Sequence, residues 1–436
     1  MPELQFPPAL LWVITGCMLL GAQCAATGCF GVLRRQSLAG DAVAHAVLPG
    51  ICLAFLLSGS KSMVFLLPGA ALTGWLSLLC IEYLPRLGKI RQDAATGIVL
   101  SVFFGLGIML LTSIQQGGNA DQSGLDKFLL GKAAGMMPQD IEILAITTFL
   151  SMLIIALVWK EFAAWIFDPN FAESAGLPVR LLSFLQTVLL IIAVVTGIQA
   201  VGVVLMAALL ITPAASARYW SDSLITVFIL SIVFGITGTF TGVIASFILP
   251  EAPTGASIVL ALSLLFALSA IAAPRRGAIS RIITQFLHRR RTEEENILKA
   301  CYQVAAQNCA EPDILSKQPC IVQIPEIASR RGYSSGDMRL RRILRRLVRQ
   351  GYCSVLQQDL CQLTPEGFAR GKRITRLHRL WEVYLTRAMS LPPDHVHDDA
   401  ESIEHILTPE LEKELESLLE FPSIDPHGEY IPPASR

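Results

Sequence analysis

Charge is scarce up to Pro274 of this 436-residue chain: residues 1–274 carry 11 basic and 13 acidic side chains, whereas 275–436 carry 24 and 22. A segment so poor in charge is not the surface of an ordinary soluble enzyme. The chain has no G-x-x-x-x-G-K-[ST] phosphate cradle, which excludes ATP hydrolysis by that route. It shows no nucleophile–base arrangement, so an enzyme is not expected. Its ten cysteines (17, 24, 29, 52, 80, 301, 309, 320, 353 and 361) include no C-x-x-C pair, and half lie in the charged part, so reduced thiols are the expected state. The opening segment lacks the basic region of a cleavable signal peptide and reads as a retained membrane helix.

What is abundant is apolar sequence. The hydrophobic share is 53% and the mean hydropathy +0.53. Apolar runs near 9–33, 43–58, 62–84, 94–114, 139–160, 182–199, 201–217, 223–249 and 256–273 are mostly long enough to cross a bilayer. Gly197, Gly202 and Pro213 interrupt 182–217, which reads as one broken span or two, giving eight or nine crossings. Basic residues at Arg34-Arg35, at Arg86, Lys89 and Arg91, and at Arg275-Arg276 assign those loops to the cytoplasm, and with them everything after Pro274.

Ionisable residues inside an apolar span are costly, so Asp41 and His45 in S37-L-A-G-D-A-V-A-H-A-V-L-P-G50 call for a reason. Their i,i+4 spacing sets a carboxylate and an imidazole on one helix face, a donor pair suited to Mn, Fe or Zn. The alternative is a helix-start cap beside a hydrogen-bonded structural histidine. The run S-L-A-G-D-A-V-A-H-A-V-L-P-G resembles the signature of the zinc/manganese/iron family of ABC import permeases. D168-P-N-F-A-E-S-A-G-L-P178 resembles that family's coupling segment, with Asp168, Ala172 and Gly176 at its fixed offsets, and V201–R218 resembles its small-residue helix. Ala44 stands where many relatives have Ser. The resemblance implies a pair of permease subunits, the same or homologous, an extracytoplasmic metal-binding protein and a separate ATPase subunit. It places Asp41 and His45 on the transport path, and no nucleotide is expected on this chain.

Residues 275–295 carry six arginines beside apolar side chains, the composition of a membrane-surface helix or, equally, of a solvated stop-transfer flank. Beyond them the segments are short and amphipathic: 294–307, I324–R331, a turn holding Gly332 and Gly336, then D337–Q350, a helix-turn-helix pattern. Eight arginines crowd Ser329–Gln350, and Arg339, Arg341, Arg342 and Arg345 fall on the candidate recognition helix. That density suits nucleic-acid phosphate, a lipid headgroup patch or a solvated face. Y352–L363 reads as two strands around a turn, a wing. Downstream, His378 and Glu382 are at i,i+4, and His397, Glu401, Glu404 and His405 recur at offsets that share one helix face. These residues are a transition-metal constellation or a salt-bridged surface.

L363-T-P-E-G, L377-H-R-L-W-E382, V396–H405 and D425-P-H-G-E-Y-I-P432 together resemble the diphtheria-toxin-repressor (DtxR/MntR-type) family of metal-dependent regulators, without its third, SH3-like domain. The resemblance implies one metal site at His378, Glu382 and His397 and another at Glu401, Glu404 and His405, and a dimer through the C-terminal domain. A carboxylate at 401 resembles the manganese-responsive branch. The family adds ligands six and three residues before a tyrosine of its first helix. Here those positions, counted from Tyr302, hold Asn296 and Lys299, and altered coupling of metal to DNA is expected.

The expected architecture is an α-helical polytopic membrane domain of eight or nine transmembrane helices (1–274), a basic cytoplasmic linker (275–292), a winged helix-turn-helix domain (293–372) and a helical metal-binding and dimerisation domain (373–436). The expected protein resides in the cell inner (cytoplasmic) membrane. It imports a divalent transition metal (Mn, Fe or Zn), and its tail senses that metal and represses uptake genes at operator DNA, with proteolytic release from the linker one solution to the tether. The competing expectation makes the tail a metal-sensing gate that inhibits transport without binding DNA.

Overall fold

The computed structural model describes residues 8–34, 37–59, 63–116, 135–249, 252–307, 320–334, 336–357, 359–392, 396, 400, 401, 403, 405 and 407–433. They fall into two compact units, Met1–Arg281 and Ile282–Arg436.

The first unit is helical: α1 (Pro8–Leu33), α2 (Ser37–Ser58), α3 (Met63–Gly88), α4 (Gln92–Gln116), α5 (Pro138–Leu157), the short α6 (Trp159–Phe167) and α7 (Pro169–Ser174), then α8 (Val179–Val201), α9 (Val203–Arg218), α10 (Leu224–Ile248) and α11 (Thr254–Ala272). Among the described residues, eight helices are long and apolar enough to cross a membrane. The ambiguous 182–217 stretch is two helices broken at Gly202, whose φ of +87° with ψ of 160° belongs to glycine almost alone. With 16 residues, α9 is shorter than the ~20 a full crossing needs.

Helix α1 packs against α5, α8, α9 and α10. Where it crosses α10, Gly21 meets Gly235: a Cβ on Gly21 would lie 2.6 Å from the Gly235 carbonyl oxygen, so only glycine permits the approach. Gln23, fully buried in α1, donates to Ser151 Oγ at 3.3 Å and accepts from Thr148 Oγ1 at 3.3 Å. That pairing tethers α1 to α5 and satisfies an amide that hydrocarbon would penalise.

The second unit contains most of α12 (Ala278–Gln307), then β1 (Cys320–Gln323), α13 (Ile324–Arg330), α14 (Met338–Arg349), β2 (Cys353–Gln357), β3 (Leu360–Leu363), α15 (Pro365–Arg387) and α16 (Pro409–Leu418). The basic stretch from residue 278 onward is helical and continuous with the helix at 294–307. The strands form an antiparallel sheet in the order β1-β3-β2, with Val322 opposite Cys361 and Cys353 opposite Leu363. β2 and β3 are the expected pair; β1 was not expected, because its partner lies some forty residues downstream and four residues show no usable period. Asp337 starts α14 by accepting from the Arg339 amide at 2.7 Å. Leu340, Ile343, Leu344 and Leu347, spaced i, i+3, i+4, i+7, bury the other face of α14 against Ile297, Cys301, Ile327 and Cys361. Thr364 caps α15 through the Gly367 amide at 3.1 Å. Leu380 and Val383 of α15 then close a small core with Leu415, Leu419 and Ile431.

Candidate metal sites and nucleic-acid interface

Because α2 begins at Ser37, Asp41 lies in its second turn and is no helix-start cap. His45 Nε2 lies 3.4 Å from Asp41 Oδ1, and their side chains are 12% and 24% exposed. The imidazole meets the Phe104 ring edge to face at 4.6 Å. Its Nδ1 is buried with no hydrogen-bond partner among the described residues. Two donor groups thus face one another in a span, one with an uncommitted ring nitrogen. A residue the sequence reading missed lies on α8: Gln186, whose buried Oε1 has no hydrogen-bond partner among the described residues, lines a cleft with Arg34, Gly40 and Ser183. A lone glutamine in an apolar run carries no spacing signal.

The coupling-type segment has a physical reason at each fixed position. Asp168 Oδ1 accepts the amides of Asn170 at 2.9 Å and Phe171 at 3.2 Å, starting α7. Ala172 is fully buried, and Gly176 turns the chain at φ +80°. Phe167, the last residue of α6, and Phe171 of α7, 92% and 63% exposed, are left on the surface.

In the second unit His378 Nε2 lies 3.1 Å from Glu382 Oε1, both side chains buried on α15. His427 Nε2 approaches the same Glu382 oxygen at 4.0 Å, its loop fixed by Asp425 Oδ1, which accepts the amides of His427 and Glu429 at 2.9 and 2.8 Å. His427 is another residue missed. Its signal was the P-H-G-E run, read only as a family marker. His397, the expected third ligand, lies outside the described residues. Two imidazoles near one buried carboxylate oxygen are donors of the kind a transition metal prefers, but these three do not gather at metal-ligand spacing.

The other expected site differs. Glu401 Oε1 is bound by Arg331 Nη1 at 2.5 Å. His405 is held between Glu295 Oε2, 2.6 Å from Nδ1, and Asn296 Oδ1, 3.1 Å from Nε2. Burial pushes the Glu295 carboxyl upward, but hydrogen bonds from His405, Arg370 and Arg291 and the charge of Arg370 outweigh it and bring it down to about 2. Lys299 is buried three residues beyond Asn296. Glu404 lies outside the described residues. Glu295 was missed because T-E-E-E read as linker. With an amide and three arginines, Arg291, Arg331 and Arg370, among its described members, this cluster does not fit a simple divalent site. Among the described residues no three His, Cys, Asp or Glu side chains gather at metal-ligand spacing.

Along α14, Arg339, Arg341, Arg342, Arg345 and Arg349 are exposed, while Arg346 turns toward Glu294 at 3.6 Å. The helix is thus apolar inward and basic outward.

The ABC 3 transport family matches residues 7–273. The metal binding and dimerisation domain of iron dependent repressors matches 364–433. The chain is 41% identical over 394 residues to the manganese transport system membrane protein MntC of Bacillus subtilis, covering 89% of this chain and 86% of that one. It is 42% identical over 270 residues to the zinc transport system membrane protein TroC of Treponema pallidum, covering 62% and 91%. Among solved structures, PsaBC from Streptococcus pneumoniae in complex with Fab superimposes with a TM-score of 0.56 at 34% identity, over 63% of this chain and 95% of that one. With its membrane unit matched from end to end and a relative aligned over most of its length, the chain belongs to the ABC 3 transport family and carries an iron-dependent-repressor metal-binding and dimerisation domain after it.

Proposed function

We propose that this protein is the inner-membrane permease subunit of an ABC importer for a divalent transition metal, with manganese the first candidate, and that its cytoplasmic tail is a metal-responsive, DNA-binding regulator. The observation that carries the transport reading is the Asp41–His45 pair. A carboxylate and an imidazole 3.4 Å apart, inside a span and with Nδ1 uncommitted, offer a passing divalent ion the donors it prefers. The relatives named for manganese and zinc transport support the cargo class. The exposed phenylalanines at the end of α6 and in α7, Phe167 and Phe171, suit docking of a separate ATPase. Uptake of radioactive manganese by cells expressing Asp41→Ala with His45→Ala should fall to background at unchanged membrane abundance; normal uptake of Mn, Fe and Zn sinks the assignment.

For the tail, the exposed arginine face of α14 supports operator binding through phosphate contacts and guanine edges. Metal binding belongs to His378, Glu382 and His427, with His397 a further ligand. Such an ion would supply a charged cross-link between α15 and the loop at Asp425–Tyr430. Footprinting with the full-length protein in detergent should show sequence-specific protection that depends on added metal. If metal instead slows transport and no protection develops, the tail is a gate. Release by proteolysis at the basic stretch would let the regulator leave the membrane. An immunoblot for the tail that finds only full-length, membrane-bound protein excludes it.

A further inference from the structure

Residues 281–289 of α12 are exposed at every position, around the whole circumference of two and a half turns. Within and just before this stretch are Ile279, Ile282, Ile283, Phe286 and Leu287, between 49% and 65% exposed. At about 100° per residue these five fall within an arc of roughly 140°. Arg281, Gln285, His288 and Arg289 lie outside that arc. Arg290 and Arg291 engage Glu294 and Glu295 at 3.2 Å each, but Arg281 and Arg289 have no ion pair among the described residues. The last span, α11, ends at Ala272, ten residues before Ile282. Even fully extended, that connection reaches about 35 Å, and about 15 Å if helical. The apolar arc therefore cannot lie far from the headgroup layer.

We propose that residues 279–289 form an interfacial helix in the leaflet into which α11 emerges. Ile279, Ile282, Ile283, Phe286 and Leu287 face the acyl chains, Arg289 at the border of that arc faces the phosphates of anionic phospholipid, and Arg281, nearly opposite the arc, faces water. An apolar stripe bordered by Arg289, with no ion pair on that arginine among the described residues, and tethered to a bilayer by ten residues matches an anionic lipid surface in both charge and reach. The inference uses the proposed cytoplasmic location of the tail only to choose the leaflet. The same helix supplies Ile297, Leu298 and Cys301 to the core of the second unit, so lipid bound at its start bears on the regulatory fold.

The test places the photoreactive residue p-benzoyl-phenylalanine at position 286, and separately at 285 and 288. The full-length chain is reconstituted into vesicles containing radiolabelled phospholipid, either phosphatidylcholine alone or with phosphatidylglycerol. Illumination should label the chain with lipid at 286 and far less at 285 and 288. Labelling at 286 should be stronger with phosphatidylglycerol, and Arg289→Gln should weaken it by about fivefold, whereas Arg281→Gln, on the far side of the helix, should change it less. Equal labelling at all three positions, equal labelling in both vesicle types, or cross-linking at 286 to a protein overturns the proposal. Protease protection of the tail in sealed vesicles reports its side separately, so an error in topology leaves the lipid result readable.

Discussion

Arg331 Nη1 lies 2.5 Å from Glu401 Oε1, so a guanidinium occupies the carboxylate that the regulator resemblance assigns to a metal. With Lys299 buried on α12 and His405 held by Glu295 and Asn296, the cluster carries its own cations. A carboxylate partly withdrawn from water gains from a positive partner, and a side chain from the same fold meets that need without an ion. The expected outcome is that Glu401→Gln leaves the metal stoichiometry of the protein unchanged. Converting Asn296→Asp with Lys299→Glu, in an Asp41→Ala, His45→Ala background, should add one manganese equivalent. Equilibrium dialysis of the detergent-solubilised chain measures both. Loss of an equivalent in Glu401→Gln, or no gain in the double variant, refutes the reading.

The other site predicts the opposite pattern. His378 and Glu382 are buried 3.1 Å apart, and replacing either removes one donor of the pair. His378→Ala or Glu382→Gln should weaken metal binding at least as much as loss of an outer-shell partner, about 10- to 100-fold. His427→Ala, removing the more distant and half-exposed imidazole, should weaken it less. Titration with manganese in the same transport-silent background ranks the three. An unchanged constant for His427→Ala removes that residue from the ligand set.

These two sites show what a sequence discloses and what it withholds. The membrane spans were legible because ~20-residue apolar runs need no partner to be recognised, and the break at Gly202 because an interrupted run leaves its glycine in view. The second helix of the helix-turn-helix pattern was legible because α14 repeats its apolar residues at 3, 4 and 7 from Leu340. Side-chain pairing was legible only where the residues share one helix, as Asp41 with His45 and His378 with Glu382 do. Glu295, Arg331 and His427 join their sites from elements 110, 70 and 45 residues from His405, Glu401 and Glu382, by tertiary packing that local spacing does not encode. Strand β1 was hidden for the same reason, since only its pairing with β3 makes it a strand.

The arginine face of α14 predicts a salt signature. Each phosphate contact made by an exposed arginine contributes about 0.9 to the slope of log affinity against log salt on duplex DNA. Arg341→Ala, Arg342→Ala and Arg345→Ala should each flatten the slope by up to that amount while leaving the fold intact, because all three side chains are exposed. Fluorescence anisotropy of full-length protein with operator DNA over a salt series gives the slopes. Slopes that do not change assign the arginines to another partner.

The thiols of the second unit predict a chemical silence. Cys353 and Cys361 are 3% and 1% exposed on neighbouring strands. A hydrogen bond with Cys301 and burial raise the Cys353 thiol well above its usual range despite the opposing hydrogen bond with Cys361, and the hydrogen bond with Cys353 together with burial does the same for Cys361. A raised thiol pKa means less thiolate at any given pH, and thiolate is the nucleophile. Iodoacetamide at pH 8 should therefore leave both residues unmodified in the native protein and modify both after denaturation, as read by peptide mass mapping. Raising the pH alone should not expose them until the unit unfolds, so alkylation and loss of helical circular dichroism should share one midpoint.

The crossing of α1 and α10 sets the last expectation. At Gly21 and Gly235 the backbones approach so closely that a Cβ on either would overlap the other's carbonyl oxygen, and backbone cannot step aside as a flexible side chain can. Gly235→Val should therefore force the helices apart and cost roughly 1–3 kcal/mol or more, as overpacked cores do. Gly97, with open space where its Cβ would be, is the matched control. Gly97→Ala should leave stability unchanged or raise it slightly, since alanine is the better helix former. Thermal unfolding of the detergent-solubilised protein, followed by size-exclusion chromatography with fluorescence detection, should give a lower midpoint for Gly235→Val and none lower for Gly97→Ala. Equal midpoints for Gly235→Val and the parent protein would mean that the two helices do not meet at these glycines.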